Sequence, residues 1–363
     1  PYRRQRQMCI RDRYEINRVF DVNTDVWNGM STAGYPSKLR DPNIKPETEA
    51  SYEFGTDFRF FNNRLGFDYT FFSRLRYDRL IEADISEASG AKKIITNTAE
   101  ELRQRGMEFT LTGKPIVTKE FQWESALNVA YWHWYYDKLD PVYSSQDPRI
   151  GVGERYDKYF FTDWETDHAG NIVHQAGLPV KNKYQSVIGY KDPKCILGWT
   201  NRFFYKGFDL SVSIDGRIGG VMYSWTEQAM WHSGVHPDSD NRWRYDEVVN
   251  GKQNYIGSGV KVVSGSASYD PYGKVLEDTR VFAPNDVPVS YQNYTMNYNE
   301  NPWDHDARQN IKNGSFLKLR EVALNYTLPA TIAQKLLMKK VRVGVIGQNL
   351  LMWTKEFKFS DPD

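Results

Sequence analysis

The sequence predicts an all-β fold: part of an antiparallel transmembrane β-barrel, with short turns at one end of its strands and long loops at the other. Three observations carry this. Aromatic and charged residues alternate with period two in segment after segment. The connections between these segments alternate short and long without exception. Aromatic content is high, with 24 Tyr, 19 Phe and 11 Trp, yet no apolar run reaches the ~18 residues that a membrane helix needs.

The first hairpin sets the pattern. From Ser51 to Phe60, Tyr52, Phe54, Phe58 and Phe60 fall on one face and Glu53, Asp57 and Arg59 on the other, because strand side chains alternate. Phe61-Asn62-Asn63-Arg64 follows, and Asn accepts the positive φ of tight turns. Leu65, Phe67, Tyr69 and Phe71 then alternate again. Met107, Phe109 and Leu111 repeat the apolar face, as do Phe121, Trp123, Leu127, Val129 and Tyr131. Leu197, Trp199, Phe203 and Tyr205 lead to a Lys206-Gly207 turn. After it Phe208, Leu210, Val212 and Ile214 alternate with Asp209, Ser211, Ser213 and Asp215. Val322, Leu324, Tyr326 and Leu328, then Val341, Val343 and Val345, complete the series.

The connections at 62–63, 113–120, 206–207 and 329–340 are short, and those at 77–104, 137–194 and 219–313 are long. The 329–340 stretch reads as a short helix, with Pro329 in its first turn and Lys339-Lys340 at a basic C-terminal end. An up-and-down arrangement collects all short turns at one end. That is the asymmetry of outer-membrane barrels, with short periplasmic turns and long extracellular loops. An Arg facing lipid at the bilayer midplane costs about 2–4 kcal/mol. Glu53, Asp57, Arg59, Asp209 and Asp215 are therefore expected to line a wet lumen or contact a plug. Alternation by itself fits a soluble β-sandwich or propeller about as well. The ordered connections favour the barrel, and the lack of a blade-length repeat speaks against the propeller.

The mean hydropathy of −0.67 does not exclude a barrel, whose lipid-facing and lumen-facing residues average out. Forty-seven basic and 46 acidic residues leave a net charge of +1, so no long-range field draws nucleic acid. Cys9 and Cys195 make neither a disulfide framework nor a metal site. No phosphate loop, HExxH, nucleophile elbow or Cys-x-x-Cys occurs, and the sequence implies no cofactor and no enzyme. His232 and His236 are four apart, but Gly234 and Pro237 argue against a helix that would aim both at one metal.

Several ordered phrases resemble the SusC/RagA family of TonB-dependent outer-membrane transporters. They are Asn43-Ile44-Lys45-Pro46-Glu47 with Tyr52 through Gly66, Asn97 through Phe109 with Phe121-Gln122-Trp123, and Ile188-Gly189 through Tyr205-Lys206-Gly207-Phe208 to Val212. Gly314 through Val322, Tyr326-Thr327-Leu328-Pro329 and Gly347-Gln348-Asn349-Leu350-Leu351 continue the series. The resemblance covers residues 40–363 and implies the later part of a large plugged barrel in the bacterial outer membrane. It also implies energising by TonB with ExbB and ExbD, a SusD-like surface lipoprotein as partner, and glycan (oligosaccharide) or peptide as cargo. The plug domain and the closing strand are expected to lie outside this sequence. Residues 4–13 resemble sequencing-adapter read-through. Residues 1–13 are therefore set aside as a non-native leader, leaving 14–363 as barrel.

In the family a loop resembling a calcium-binding EF-hand often precedes the Ile-Gly phrase. Here Asp163, Glu165 and Asp167 keep the acidic alternation, but His168 stands where that loop needs Gly and no Glu stands at its twelfth position. They are weak metal candidates, and a solvated loop is the expectation. The loop after Gly219-Gly220 holds Tyr223, Trp225, Trp231, Trp243 and Tyr245. As a group these aromatics are candidates for stacking on sugar rings or gripping a lid; singly, each is expected to pack the loop. An alternative remains open at this point: a surface-exposed or secreted β-rich glycan-binding protein or adhesin without active transport.

Overall fold

The computed structural model describes residues 21–28, 30–34, 36–144, 147–299 and 308–363; the leader assigned to residues 1–13 lies outside them. Eight long strands dominate: β1 (Thr48–Phe60), β2 (Leu65–Tyr77), β3 (Glu101–Val117), β4 (Phe121–Lys138), β5 (Cys195–Tyr205), β6 (Phe208–Ile218), β7 (Phe316–Thr327) and β8 (Arg342–Thr354). They form one eight-stranded sheet in strictly sequential order. This is the up-and-down meander that the alternating short and long connections require. Among the described residues no helix is long and apolar enough to cross a membrane.

The short turns have local causes. Phe61, Asn62 and Asn63 take φ of 55°, 54° and 65° between β1 and β2. Lys206 and Gly207 take 44° and 90° between β5 and β6. Two successive positive φ values make the two-residue turn whose twist matches that of the strands. Glycine is needed there for a second reason: a Cβ on Gly207 would lie 2.9 Å from the Thr327 carbonyl oxygen.

The β7–β8 connection carries α4 (Ala330–Lys335), shorter than the 329–340 helix expected from sequence. Leu337 adopts φ 58° and stops it. The Met338 N–H donates to the Ala333 carbonyl at 3.0 Å and the Leu337 N–H to the Gln334 carbonyl at 2.9 Å, a Schellman termination.

The chain divides into two compact units. One comprises Pro1–Thr56, Tyr69–Glu108 and Trp132–Tyr156; the other comprises Asp57–Asp68, Phe109–Tyr131 and Asp157–Asp363. In the described part of the first, Lys93–Asn97 lies between Lys38–Arg40 and Leu80–Asp84 in a small sheet. Asp140 ties its connections together, accepting from Ala99 N at 2.6 Å, Val142 N at 2.8 Å, Tyr143 N at 3.0 Å and Thr98 Oγ1 at 2.8 Å. Arg103 grips Asp137 through two hydrogen bonds of 2.7 and 2.8 Å.

In the second unit the register puts one kind of residue on each sheet face. Leu197, Trp199, Phe203 and Tyr205 stand opposite Val129, Leu127, Trp123 and Phe121 of β4 and opposite Gly216, Ile214, Leu210 and Phe208 of β6. β7 and β8 continue the apolar face with Leu324, Tyr326, Val343 and Val345. Trp199, Tyr205, Phe208, Leu324, Val343 and Val345 are exposed, which makes no sense in water and good sense against acyl chains. Two polar residues on this face are covered by indoles. Trp123 Nε1 donates to Asn201 Oδ1 at 3.0 Å and Trp199 Nε1 donates to Ser125 Oγ at 2.9 Å. Ser125 and Asn201 are themselves register partners, so the two indoles cover adjacent polar acceptors.

The long connections of this unit are folded rather than loose. Leu178–Pro179, Val173–Gln175, Val260–Ser264 and Val281–Pro284 make a four-stranded sheet whose middle pair is parallel. Around it lie α1 (Trp225–His232), α2 (Arg242–Asn250) and α3 (Tyr291–Asn299). Ser224 caps α1 and Asn241 caps α2, each side chain accepting first-turn N–H groups. The core is a chain of rings. Trp164 stacks on Tyr298 at 5.3 Å, Tyr298 on Tyr294 at 5.9 Å, and Tyr255 meets Tyr294 edge-on at 4.8 Å. His174 Nε2 bonds the Tyr294 hydroxyl at 3.1 Å.

Candidate functional site

The face of the sheet opposite the aromatics carries charges that meet partners of opposite sign, many of them across strands. Arg59 Nη1 lies 2.5 Å from Asp57 Oδ1 and 2.8 Å from Asp68 Oδ1. It reaches across because position 66 is glycine: a Cβ there would collide with Thr112 Oγ1 and sit 3.2 Å from Arg59 Cδ. Lys114 pairs with Glu124 at 2.7 Å. Asp209 sits between Arg202 at 3.2 Å and Arg342 at 2.6 Å. Asp215 meets Arg320 at 2.6 Å, and Lys318 holds Asp361 and Asp363 at 2.7 and 3.0 Å. Arg320 is the extra residue of a bulge, since Leu319 and Glu321 pair with successive positions of β6. The bulge re-aims it toward Asp215.

Four of the polar residues singled out in the sequence, Asp57, Arg59, Asp209 and Asp215, thus occur in ion pairs of this face. Glu53 is an exposed residue of β1 in the first unit. A recess of about 260 Å³ opens beside the pairs, lined by Asn63, Thr112, Lys114, Glu124, Thr200 and Arg202. The balance of signs gives a wall that wets readily and selects neither anions nor cations by a large field.

The five loop aromatics divide. Tyr223 packs edge-on against Trp225 at 5.1 Å and lies 6.2 Å from Phe161. Trp231 stacks on His236 at 4.1 Å. Both are half-buried packing residues, as each was expected to be singly. Trp243 leans on Tyr255 at 5.4 Å but keeps an exposed edge. Trp225 is 50% and Tyr245 60% exposed, leaving these two as the rings most open to a ligand. The histidines also separate. α1 ends at His232, while His236 caps the next turn and is only 3% exposed. Burial pushes the His236 imidazole below its ordinary range, against the pull of Asp238 and Glu227.

The acidic alternation of 163–167 is taken apart by other partners. Asp163 faces Arg308 at 3.5 Å, Glu165 is held by Arg280 at 2.6 Å, and Asp167 closes its own turn by accepting from Ala169 N and Asn171 N at 2.9 and 2.8 Å. Among the described residues no group of three or more His, Cys, Asp or Glu is placed to hold a metal. What the sequence left unseen is the buried knot that Glu165 joins. Arg280 also binds Asp278 at 2.8 and 2.9 Å, and the Tyr269 hydroxyl donates to Glu165 at 2.8 Å. The Arg280 guanidinium holds the Asp278 carboxyl down to about 2. Burial, then the Glu165 carboxylate, pushes the Tyr269 phenol up to about 12. Glu165 lies more than a hundred positions from Tyr269 and Arg280, and spacing offers no signal for its place in the knot.

No family model matches the chain. Among curated proteins it is similar to TonB-dependent receptor P3 of Formosa agariphila, 22% identical over 88% of this chain and 31% of the relative. TonB-dependent receptor SusC of Bacteroides thetaiotaomicron is 25% identical over 51% of this chain and 21% of the relative. Among solved structures, the RagAB peptide transporter superposes with a TM-score of 0.62 at 17% identity, over 95% of this chain and 36% of that one. The RagAB peptide importer in its open-open state gives 0.63 at 18%, over 95% and 35%. The chain therefore spans about a third or less of the length of these relatives. They are receptors and transporters, not enzymes. The meander order, the apolar and charged faces and these likenesses together give the chain the β-barrel fold of the TonB-dependent receptors it is similar to, proteins of the bacterial outer membrane.

Proposed function

We propose that the chain is wall and loop cap of an active outer-membrane importer that takes up oligosaccharides or peptides. The observation that carries the reading is the pairing of two faces on one meander. An exposed aromatic face lies against lipid, and a charged face, on which Asp57, Arg59, Asp209 and Asp215 occur in ion pairs, lines a watery lumen; Glu53 lines it too. A polar wall without net field suits cargo rich in hydroxyl or amide groups. Trp225 and Tyr245 offer ring faces of the kind that stack on sugars or on peptide side chains. Energy comes from TonB with ExbB and ExbD acting through a plug domain, and a SusD-like lipoprotein closes over the outer loops. No bond is made or broken.

The test is uptake. Cells producing the full-length receptor should accumulate a labelled oligosaccharide or oligopeptide pool, and deletion of either the receptor gene or tonB should abolish accumulation. Retained surface binding with uptake unchanged in both deletions would replace this reading with the adhesin.

A further inference from the structure

The β7–β8 turn shows apolar side chains where a folded protein in water hides them. Leu337 is 97% exposed, and Ile332, Leu336 and Met338 are exposed beside it. The Schellman termination fixes this knob, so it is a built protrusion and not a frayed end. Lys335, Lys339 and Lys340 surround it, and 330–340 contains these three lysines and no acidic residue. The chain as a whole is nearly neutral; this turn is locally basic.

Its position fixes what it meets. β8 leaves the turn directly into Val343 and Val345, which pair with Tyr326 and Leu324 on the apolar face. At the same level Phe208 packs on Tyr326 with ring centroids 4.4 Å apart, and Tyr205 is exposed nearby in sequence and register. Aromatic rings at the strand ends mark the membrane–water boundary of a barrel. Lys340 also lines a recess of about 370 Å³ at this end of the strands, whose wall mixes Lys119, Lys206 and Arg342 with Glu120 and Asp209.

We propose that the β7–β8 turn is a lipid anchor on the periplasmic leaflet. Ile332, Leu336, Leu337 and Met338 enter the acyl region, while Lys335, Lys339 and Lys340 bind the phosphates of anionic phospholipids. Continuity with the lipid-facing strip and the complementary charge both favour a bilayer over a protein partner. The inference rests on the outer-membrane placement of the strands and is independent of cargo.

The test places nitroxide labels at Leu337→Cys and, separately, Val345→Cys in the full-length receptor, with Cys195 and any other native cysteine replaced by Ser. Nanodiscs contain phosphatidylethanolamine with phosphatidylglycerol, or phosphatidylcholine alone. In the anionic discs both labels should be reached by oxygen and shielded from a water-soluble nickel chelate. In phosphatidylcholine, or with Lys335, Lys339 and Lys340 changed to Gln, the Leu337 label should emerge, membrane contact weakening about fivefold per lysine lost. The Val345 label should stay put. A Leu337 label in water while Val345 remains in lipid overturns the anchor and leaves the barrel standing. A Leu337 label shielded from both quenchers in every lipid overturns it in favour of a protein contact. Both labels in water would remove the membrane placement itself.

Discussion

Arg280→Met is the sharpest perturbation of the loop cap. The substitution keeps most of the aliphatic stem and deletes the guanidinium that joins Asp278 and Glu165. The arginine side chain is 7% exposed, Asp278 8% and Glu165 22%, so both carboxylates lose their counter-ion out of reach of bulk water. Breaking a buried ion pair by removing one partner costs about 3–5 kcal/mol. At 1.36 kcal/mol per decade, amide exchange in Val281–Pro284 and Val260–Ser264 should quicken by roughly two to four decades. Strands β5 and β6 should keep their protection and act as the internal reference. The pH dependence has a definite sign. In the folded state Asp278 titrates near 2 instead of its ordinary 3.8. Its contribution is fully present above 3.8 and is lost as pH falls toward 2. The variant's deficit should therefore be largest at neutral pH and shrink through that window as the orphaned carboxylates protonate. Equal exchange in wild type and variant at pH 7, or a deficit that grows on acidification, would refute the reasoning.

Other outcomes follow from single contacts. Trp123→Phe removes the donor that covers Asn201 on the lipid face; an unpaired buried acceptor costs about 1–3 kcal/mol, read as a lower urea midpoint in lipid vesicles. Gly207→Val forces a β-branched residue to φ 90° against the Thr327 carbonyl, and should cost about 1–3 kcal/mol and slow barrel closure on a heat-modifiability gel. His236 is held neutral by burial, its folded pKa below the unfolded one, so its contribution is full above about 6.5 and falls as pH drops below that. Proteolysis of the α1 segment should increase between pH 7 and 5, and His236→Phe should flatten that response. Tyr245→Ala should weaken cargo uptake several-fold at low concentration without moving the unfolding midpoint, whereas Tyr294→Ala, in the ring core, should lower stability by about 3–5 kcal/mol.

The legible parts of this fold were local. Period two in Phe208 through Asp215 needs only a strand, and Asn62-Asn63 and Lys206-Gly207 announce their own backbone. Meander order then followed from connection length. The loop cap was not legible, because its contacts ignore sequence proximity. Val173–Gln175 runs parallel to Val260–Ser264, and Glu165 finds Arg280 across two long connections. Spacing likewise does not sort the loop aromatics: Tyr223 and Trp225 are near neighbours in the chain, yet the first is half-buried and the second is exposed. α4 was foreseen but overextended, since nothing in Leu336-Leu337 announces a leucine at positive φ.

The central claim is that these strands cross a membrane with the aromatic face in lipid and the charged face in water. Single cysteines at Leu210, Ser211, Val212, Ser213, Ile214 and Asp215, in outer-membrane vesicles, test it most directly through labelling by a membrane-impermeant maleimide. The account predicts labelling at 211, 213 and 215 and protection at 210, 212 and 214. Uniform labelling, or protection without the period of two, would contradict it.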